Sequence, residues 1–181
     1  MLTVAETASR ARRRLSCLGI AVLVLAVSAG GSAWVFRDDL FQPFGDDRAC
    51  RGSDLRLPDA IRAGGVPIPA DAEDVHYLTR NGTAEVTFVS GLVPEYLHRT
   101  GLLPDGADPF DQRYGTKAVA GPEIPLPDGL CGSALRGPVR IYGSQGSTGT
   151  GSGLGVMVEC SDVPGGVFRV PARAVIAFSL G

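Results

Sequence analysis

The chain has 181 residues, 17 Lys plus Arg against 19 Asp plus Glu, and 44% hydrophobic residues, which leaves room for one ordinary domain and an appendage. Setting aside Glu6 and the arginines at 10, 12, 13 and 14, the part after Phe36 carries 13 basic and 18 acidic residues, a net charge of −5. With no basic cluster among them, nucleic acid and anionic surfaces are excluded as natural partners.

In chain order, residues 1–14 are too few to bury a core and read as a cytoplasmic segment. The 22 residues from Leu15 to Phe36 contain no charge and are dominated by Leu, Ile, Val and Ala. At about 1.5 Å per residue they reach across the roughly 30 Å hydrocarbon layer of a bilayer, which predicts a transmembrane helix over 15–36. Arginines precede this run, whereas Arg37 is answered at once by Asp38 and Asp39. Flanking basic residues stay inside, so the remainder of the chain is expected to be extracytoplasmic, with Trp34 and Phe36 at the interface and the membrane as first partner. The small residues Val27-Ser28-Ala29 also fit a signal peptidase site, and cleavage there would release a secreted domain. The apolar run continues past that site to Phe36, which favours a retained signal-anchor.

Residues 37–66 combine scattered charges with Pro and Gly and read as a stalk, with a short helix over Pro58–Ala63. An extracytoplasmic domain is expected over 67–181. Its strongest local signal is Val75 to Ser90, where two β-prone runs flank Asn81-Gly82, the preferred pair of a type I′ turn. A two-residue loop places Thr79 opposite Ala84, Tyr77 opposite Val86 and Val75 opposite Phe88, an apolar side. His76, Arg80, Thr83, Glu85 and Thr87 fall on the other side, and Leu78 and Val89 break the pattern. The turn accounts for Asn81-Gly82-Thr83 without invoking the glycosylation sequon it also matches.

Leu92 to Thr100 predicts a helix, with Pro94 in its first turn and Gly101 ending it. Val93, Tyr96 and Leu97 would pack on the apolar side of the hairpin. Residues 102–138 are rich in proline and glycine and read as a long irregular connection. Strands are expected at Val139–Tyr142, Leu154–Cys160 and Val167–Phe178, the last divided by Pro171. The predicted fold class is therefore α+β: one transmembrane helix, then a small, mostly antiparallel β domain with one or two short helices.

No catalytic, cofactor-binding or metal-binding set emerges. Gly143 to Gly155 lacks the lysine of a phosphate loop and runs into a strand, so no helix N-terminus faces an anion. Ser133 lies in a loop but lacks the flanking glycines of a nucleophile elbow. The two bases, His76 and His98, fall on opposite sides of the hairpin, whereas a nucleophile needs a base within hydrogen-bond reach. Asp105, Asp108 and Asp111 share an acidic loop without the alternate spacing and closing Glu of a calcium loop. No pair of Cys or His has the close spacing of zinc ligands. Cys50, Cys131 and Cys160 lie in the exported part, so one disulfide and one leftover thiol are expected. The register of the Val139–Cys160 hairpin brings Cys160 near Arg136 and hence near Cys131. Cys131–Cys160 is the expected pair, with Cys50 joined to either as the alternatives.

The run Ile68-Pro69-Ala70-Asp71-Ala72-Glu73-Asp74-Val75, leading into a strand ending near Phe88 and the Pro94–Leu97 helix, resembles a pattern in uncharacterised small membrane-anchored or exported proteins of GC-rich Gram-positive bacteria. The resemblance covers about a fifth of the chain and implies a cell-surface domain without a transferable activity. Three functions fit: a binding module that contacts another membrane or envelope protein, an extracytoplasmic hydrolase-like enzyme with the 102–138 loop as its lid, or an accessory subunit of a membrane complex. The binding module is the expected one.

Overall fold

A computed structural model describes residues 43–118, 121–143, 153–161 and 166–180. The expected transmembrane helix over 15–36 and the 1–14 segment lie outside the described residues. Among the described residues no helix is long and apolar enough to cross a membrane.

The fold is mostly β, which corrects the α+β expectation. Its strands are β1 (Arg62–Ala63), β2 (Val66–Pro67), β3 (Glu73–Arg80), β4 (Thr83–Ser90), β5 (Thr116–Ala118), β6 (Glu123–Ile124), β7 (Leu135–Arg136), β8 (Val139–Gly143), β9 (Gly155–Glu159) and β10 (Ala172–Ser179). Among the described residues one α-helix of 7 residues, α1 (Val93–Arg99), stands against them. A 6-stranded antiparallel sheet runs in the order β3-β4-β10-β9-β8-β5, beside two ribbons, β1-β2 and β6-β7. The C-terminal strand β10 thus inserts between β4 and β9, a long-range pairing without a local sequence signature.

The β3-β4 hairpin forms where Asn81-Gly82 predicts it, with φ of 53° and 74° at the two turn residues. Thr79 pairs with Ala84 and Tyr77 with Val86, as the alternation requires. The pairing of Val75 with Phe88 fails, because the register shifts between Glu73 and His76. Asp74 absorbs that bulge at φ 50°, a conformation that Asp and Asn enter more readily than other residues with a side chain.

The helix also forms as predicted. Pro94 occupies its first turn, and Gly101 follows its end at φ 73°. Its entry is braced from the motif that carries the resemblance: Ser90 Oγ and the Gly91 N–H donate to the two oxygens of Asp71 at 2.6 and 2.9 Å, and the Leu92 N–H donates to Ser90 Oγ at 2.9 Å. Val93, Tyr96 and Leu97 enter the main core with Tyr77, Val86, Phe88, Tyr142, Val156 and Ile176. Phe88 and Tyr96 meet edge to face with ring centres 6.2 Å apart, a favoured aromatic geometry.

Residues 43–66, expected as a stalk, belong to the domain. Ala49 bridges Tyr77 in parallel, and backbone hydrogen bonds join Cys50 N to Tyr77 O and Tyr77 N to Arg48 O, both at 2.7 Å. They cover the outer edge of β3, which would otherwise be an open pairing template. The helix expected over Pro58–Ala63 is absent; Ile61 and Ala63 are instead buried in the core as the chain enters β1.

The second face of the sheet is covered as well. Cys50, Leu78, Leu130, Leu135, Val139 and Val175 form a smaller core there, with Ile124, Leu126 and Met157 at its margin. Leu78, which breaks the hairpin's alternation, is one of its members. The β6-β7 ribbon closes this layer through a tight contact: a Cβ added at Gly137 would lie 2.0 Å from the carbonyl oxygen of Gly121, a backbone atom with no rotamer to yield. Gly137→Ala is expected to cost about 3 kcal/mol, the upper end for overpacking. A urea-unfolding midpoint unchanged from wild type would show that the ribbon opens without cost.

Candidate functional site

On the second face, the bulge in β3 gathers polar side chains from three strands. Asp74 links two of them: its Oδ1 lies 3.0 Å from His76 Nε2, and Arg173 Nη2 of β10 donates to its Oδ2 at 2.8 Å. These contacts hold the Asp74 carboxyl below its ordinary pKa range, Arg173 contributing most and His76 adding to it against the opposing effect of burial. Since a carboxylate only accepts, His76 Nε2 carries the proton toward Asp74, and Nδ1 is an acceptor in the neutral ring.

Thr87 of β4 pairs across the ladder with His76. Its Oγ1, His76 Nδ1 and Arg173 Nη1 are buried, and none of them has a hydrogen-bond partner among the described residues. Such groups are rare in native interiors. Gly132 packs against two of these side chains: a Cβ there would stand 3.2 Å from Thr87 Cγ2 and 3.3 Å from His76 Cδ2, and its φ of 115° favours glycine. Only a residue without a side chain approaches this closely.

The cover is fixed covalently. Cys131 is bonded to Cys50 across a sequence separation of 81, with Cα atoms 5.4 Å apart. This replaces the expected Cys131–Cys160 pair and realises one of its alternatives. Cys160 N does bond to Pro138 O at 2.7 Å, close to the predicted register. Strand parity decides the matter: Met157 and Glu159 face the second layer, Val158 faces the main core, and Cys160 follows Val158 as a buried thiol. It therefore points away from the layer that contains Cys131.

Glu159 borders the cluster and is fully buried. Its Oε1 accepts from Arg136 N at 2.6 Å and its Oε2 from Arg173 N at 3.4 Å, with the Arg136 guanidinium 3.7 Å away. Arg169 Nε is bonded to Cys160 O at 3.1 Å.

The other sequence candidates do not join this cluster. His98 lies on α1, against the opposite face, and its Nδ1 bonds to Leu103 O at 3.1 Å. Asp108 and Asp111 accept from the backbone two residues on, at Phe110 and Arg113, and shape turns. Arg140 pins that acidic loop by donating to the carbonyls of Asp111 and Gly115 at 2.6 and 2.7 Å. Among the described residues no group of three His, Cys, Asp or Glu is arranged to hold a metal ion. Most of the Gly143–Gly155 loop, residues 144–152, lies outside the described residues. Ser133 is exposed beside Gly132. Thr87 Oγ1 and His76 Nδ1 form no hydrogen bond with each other. Beside the clasped loop the cluster presents one guanidinium, one hydroxyl and one ring nitrogen.

Asp74, Thr87, Gly132 and Arg173 carry the site and were not legible as site residues in the sequence. Asp74 and Arg173 are 99 residues apart, and although Asp74 stands in the run that carries the resemblance, nothing there marks it as a partner of Arg173. No protein-family model, curated protein or solved structure matches the chain.

Proposed function

We propose that this chain is an exported binding module, tethered at the outer face of the cytoplasmic membrane through the apolar segment 15–36, whose clasped face around Asp74, His76 and Arg173 contacts another membrane or envelope protein. One observation carries the reading: a disulfide fastens Gly132 against Thr87 and His76, whose buried Oγ1 and Nδ1 have no hydrogen-bond partner among the described residues. A stable disulfide fits an oxidising compartment, and the arginines before Leu15 orient the remainder of the chain outward. Recognition hot spots favour such fixed, desolvated groups beside an exposed rim.

The test is photocrosslinking in intact cells with the full chain. A photoreactive residue at Ser133, beside the clasp, is expected to give one discrete adduct that disappears with Arg173→Ala. The same residue at exposed Glu95, on α1 and the other face, should not give it. Identical adducts from both positions, or an adduct indifferent to Arg173, would remove the proposal.

A further inference from the structure

The two sulfurs of the clasp stand in different surroundings. Cys50 is 1% exposed and packed in the second core, whereas Cys131 is exposed. The Cys131 N–H donates to Cys50 Sγ at 2.8 Å. An attacking thiolate reaches a disulfide at its accessible sulfur, and exchange is faster when the other sulfur leaves as a stabilised thiolate. Here Cys131 is the exposed residue of the pair, and Cys50 Sγ already has a backbone donor. We infer that Cys131 is a thiol-exchange site at which a dithiol oxidoreductase of the Cys-X-X-Cys type makes and breaks the clasp, so that reduction lifts Gly132 from His76 and Thr87.

The chemistry balances with that partner as reductant. Its thiolate attacks Cys131 Sγ, a mixed disulfide forms, and the old S–S bond breaks with its electron pair leaving on Cys50 Sγ, which takes a proton from solvent. The partner's second thiol then attacks its own half of the mixed disulfide and releases Cys131. Two electrons pass to this protein, and the partner dithiol becomes a disulfide; oxidation of the clasp is the reverse. The structural consequence follows from adjacency. Gly132 is held against Thr87 and His76 by the residue before it, so freeing Cys131 frees the cover, whereas the β4-β10 ladder beneath has its own hydrogen bonds. The uncovering rests on the reading of this face as the binding site, but the exchange does not.

The experiment uses the purified full chain in detergent with a Cys-X-X-Ser variant of a thioredoxin-type oxidoreductase, which stalls at the mixed disulfide. Peptide mapping is expected to place the adduct on Cys131, with Cys50 newly alkylatable. An adduct on Cys50, or no reaction until the chain is denatured, would overturn the assignment. Amide hydrogen exchange of the reduced chain supplies the second readout. Residues 130–133 and 74–76 should lose protection while Ala174 to Ile176 of β10 retain it. Simultaneous loss in β10 would mean that reduction unfolds the domain, and unchanged protection at 130–133 that the cover never lifts; either sinks the device. Crosslinking from Ser133 is measured with the clasp intact, so failure of the binding reading is seen separately.

Discussion

Replacing Cys50 and Cys131 together by alanine is expected to remove about 4.5 kcal/mol of stability, the chain-entropy value for releasing a loop of this length. The separation of 81 residues makes the effect large, because an uncrosslinked unfolded chain regains all the freedom of that loop. For a unit spanning Gln42–Gly181, the loss corresponds to a fall in Tm of roughly 15–20 °C. Cys160→Ala serves as the contrast. It removes a small buried thiol outside the disulfide and should cost about 1 kcal/mol, and non-reducing peptide mapping of that variant should still recover Cys50 joined to Cys131. Equal Tm losses from the two changes, or a Cys160-containing disulfide in the wild type, would contradict the parity argument that assigns these sulfurs to opposite sides of the sheet.

Local chemistry made part of this fold readable. Asn81-Gly82 dictates a turn with two positive φ values, and a two-residue loop leaves one register for Thr79 and Tyr77. Pro94 and Gly101 bound α1 because one fits a first helical turn and the other tolerates the conformation that ends it. What escaped reading lies in non-periodic chain. Residues 43–57 cover the β3 edge through main-chain hydrogen bonds and a few side chains, among them Thr79 Oγ1, which donates to Leu55 O at 2.7 Å and accepts from Leu55 N at 2.9 Å. Backbone groups are common to all residues, so pairing of this kind leaves no alternation to detect.

The site was legible in one residue and hidden in its surroundings. His76 was recognisable as a base on the non-apolar side of the hairpin, yet alternation implied that this side met solvent. Thr87, its neighbour across the ladder, is fully buried, because the Leu130–Leu135 segment folds over it. Leu78 was the warning: one apolar residue on the polar side of a strand implies a second layer. The Val75 pairing failed for a related reason, since a bulge at Asp74 turns its carboxylate toward His76 and Arg173, contacts that only the tertiary fold brings together.

Asp46→Ala is expected to cost about 4 kcal/mol, within the range for removing one partner of a buried ion pair. The Asp46 side chain is 6% exposed. It accepts from Arg48 Nε at 2.9 Å, Arg48 Nη2 at 2.8 Å, the Arg48 N–H at 3.1 Å and the Tyr77 hydroxyl at 3.1 Å. Its removal deprives a buried phenol of its acceptor and leaves Arg48, which also stacks 5.8 Å over the Tyr77 ring, with Asp59 as its remaining partner. The Arg48 guanidinium lowers the Asp46 pKa most, with the Arg48 N–H and Tyr77 hydroxyl adding to it against desolvation. A carboxyl depressed in the folded state stabilises it fully above its unfolded pKa of about 3.9, and that contribution disappears as pH falls toward the folded value. Urea midpoints of the wild type should therefore drop below about pH 4 more steeply than those of Asp46→Asn, whose amide does not titrate; parallel curves would show that Asp46 contributes no acid sensitivity. Asp46 and Cys50 anchor the same short run to β3. Once Asp46 is gone, the unclasped segment has less left to lose, so combining Asp46→Ala with loss of the disulfide should cost less than the sum of the two.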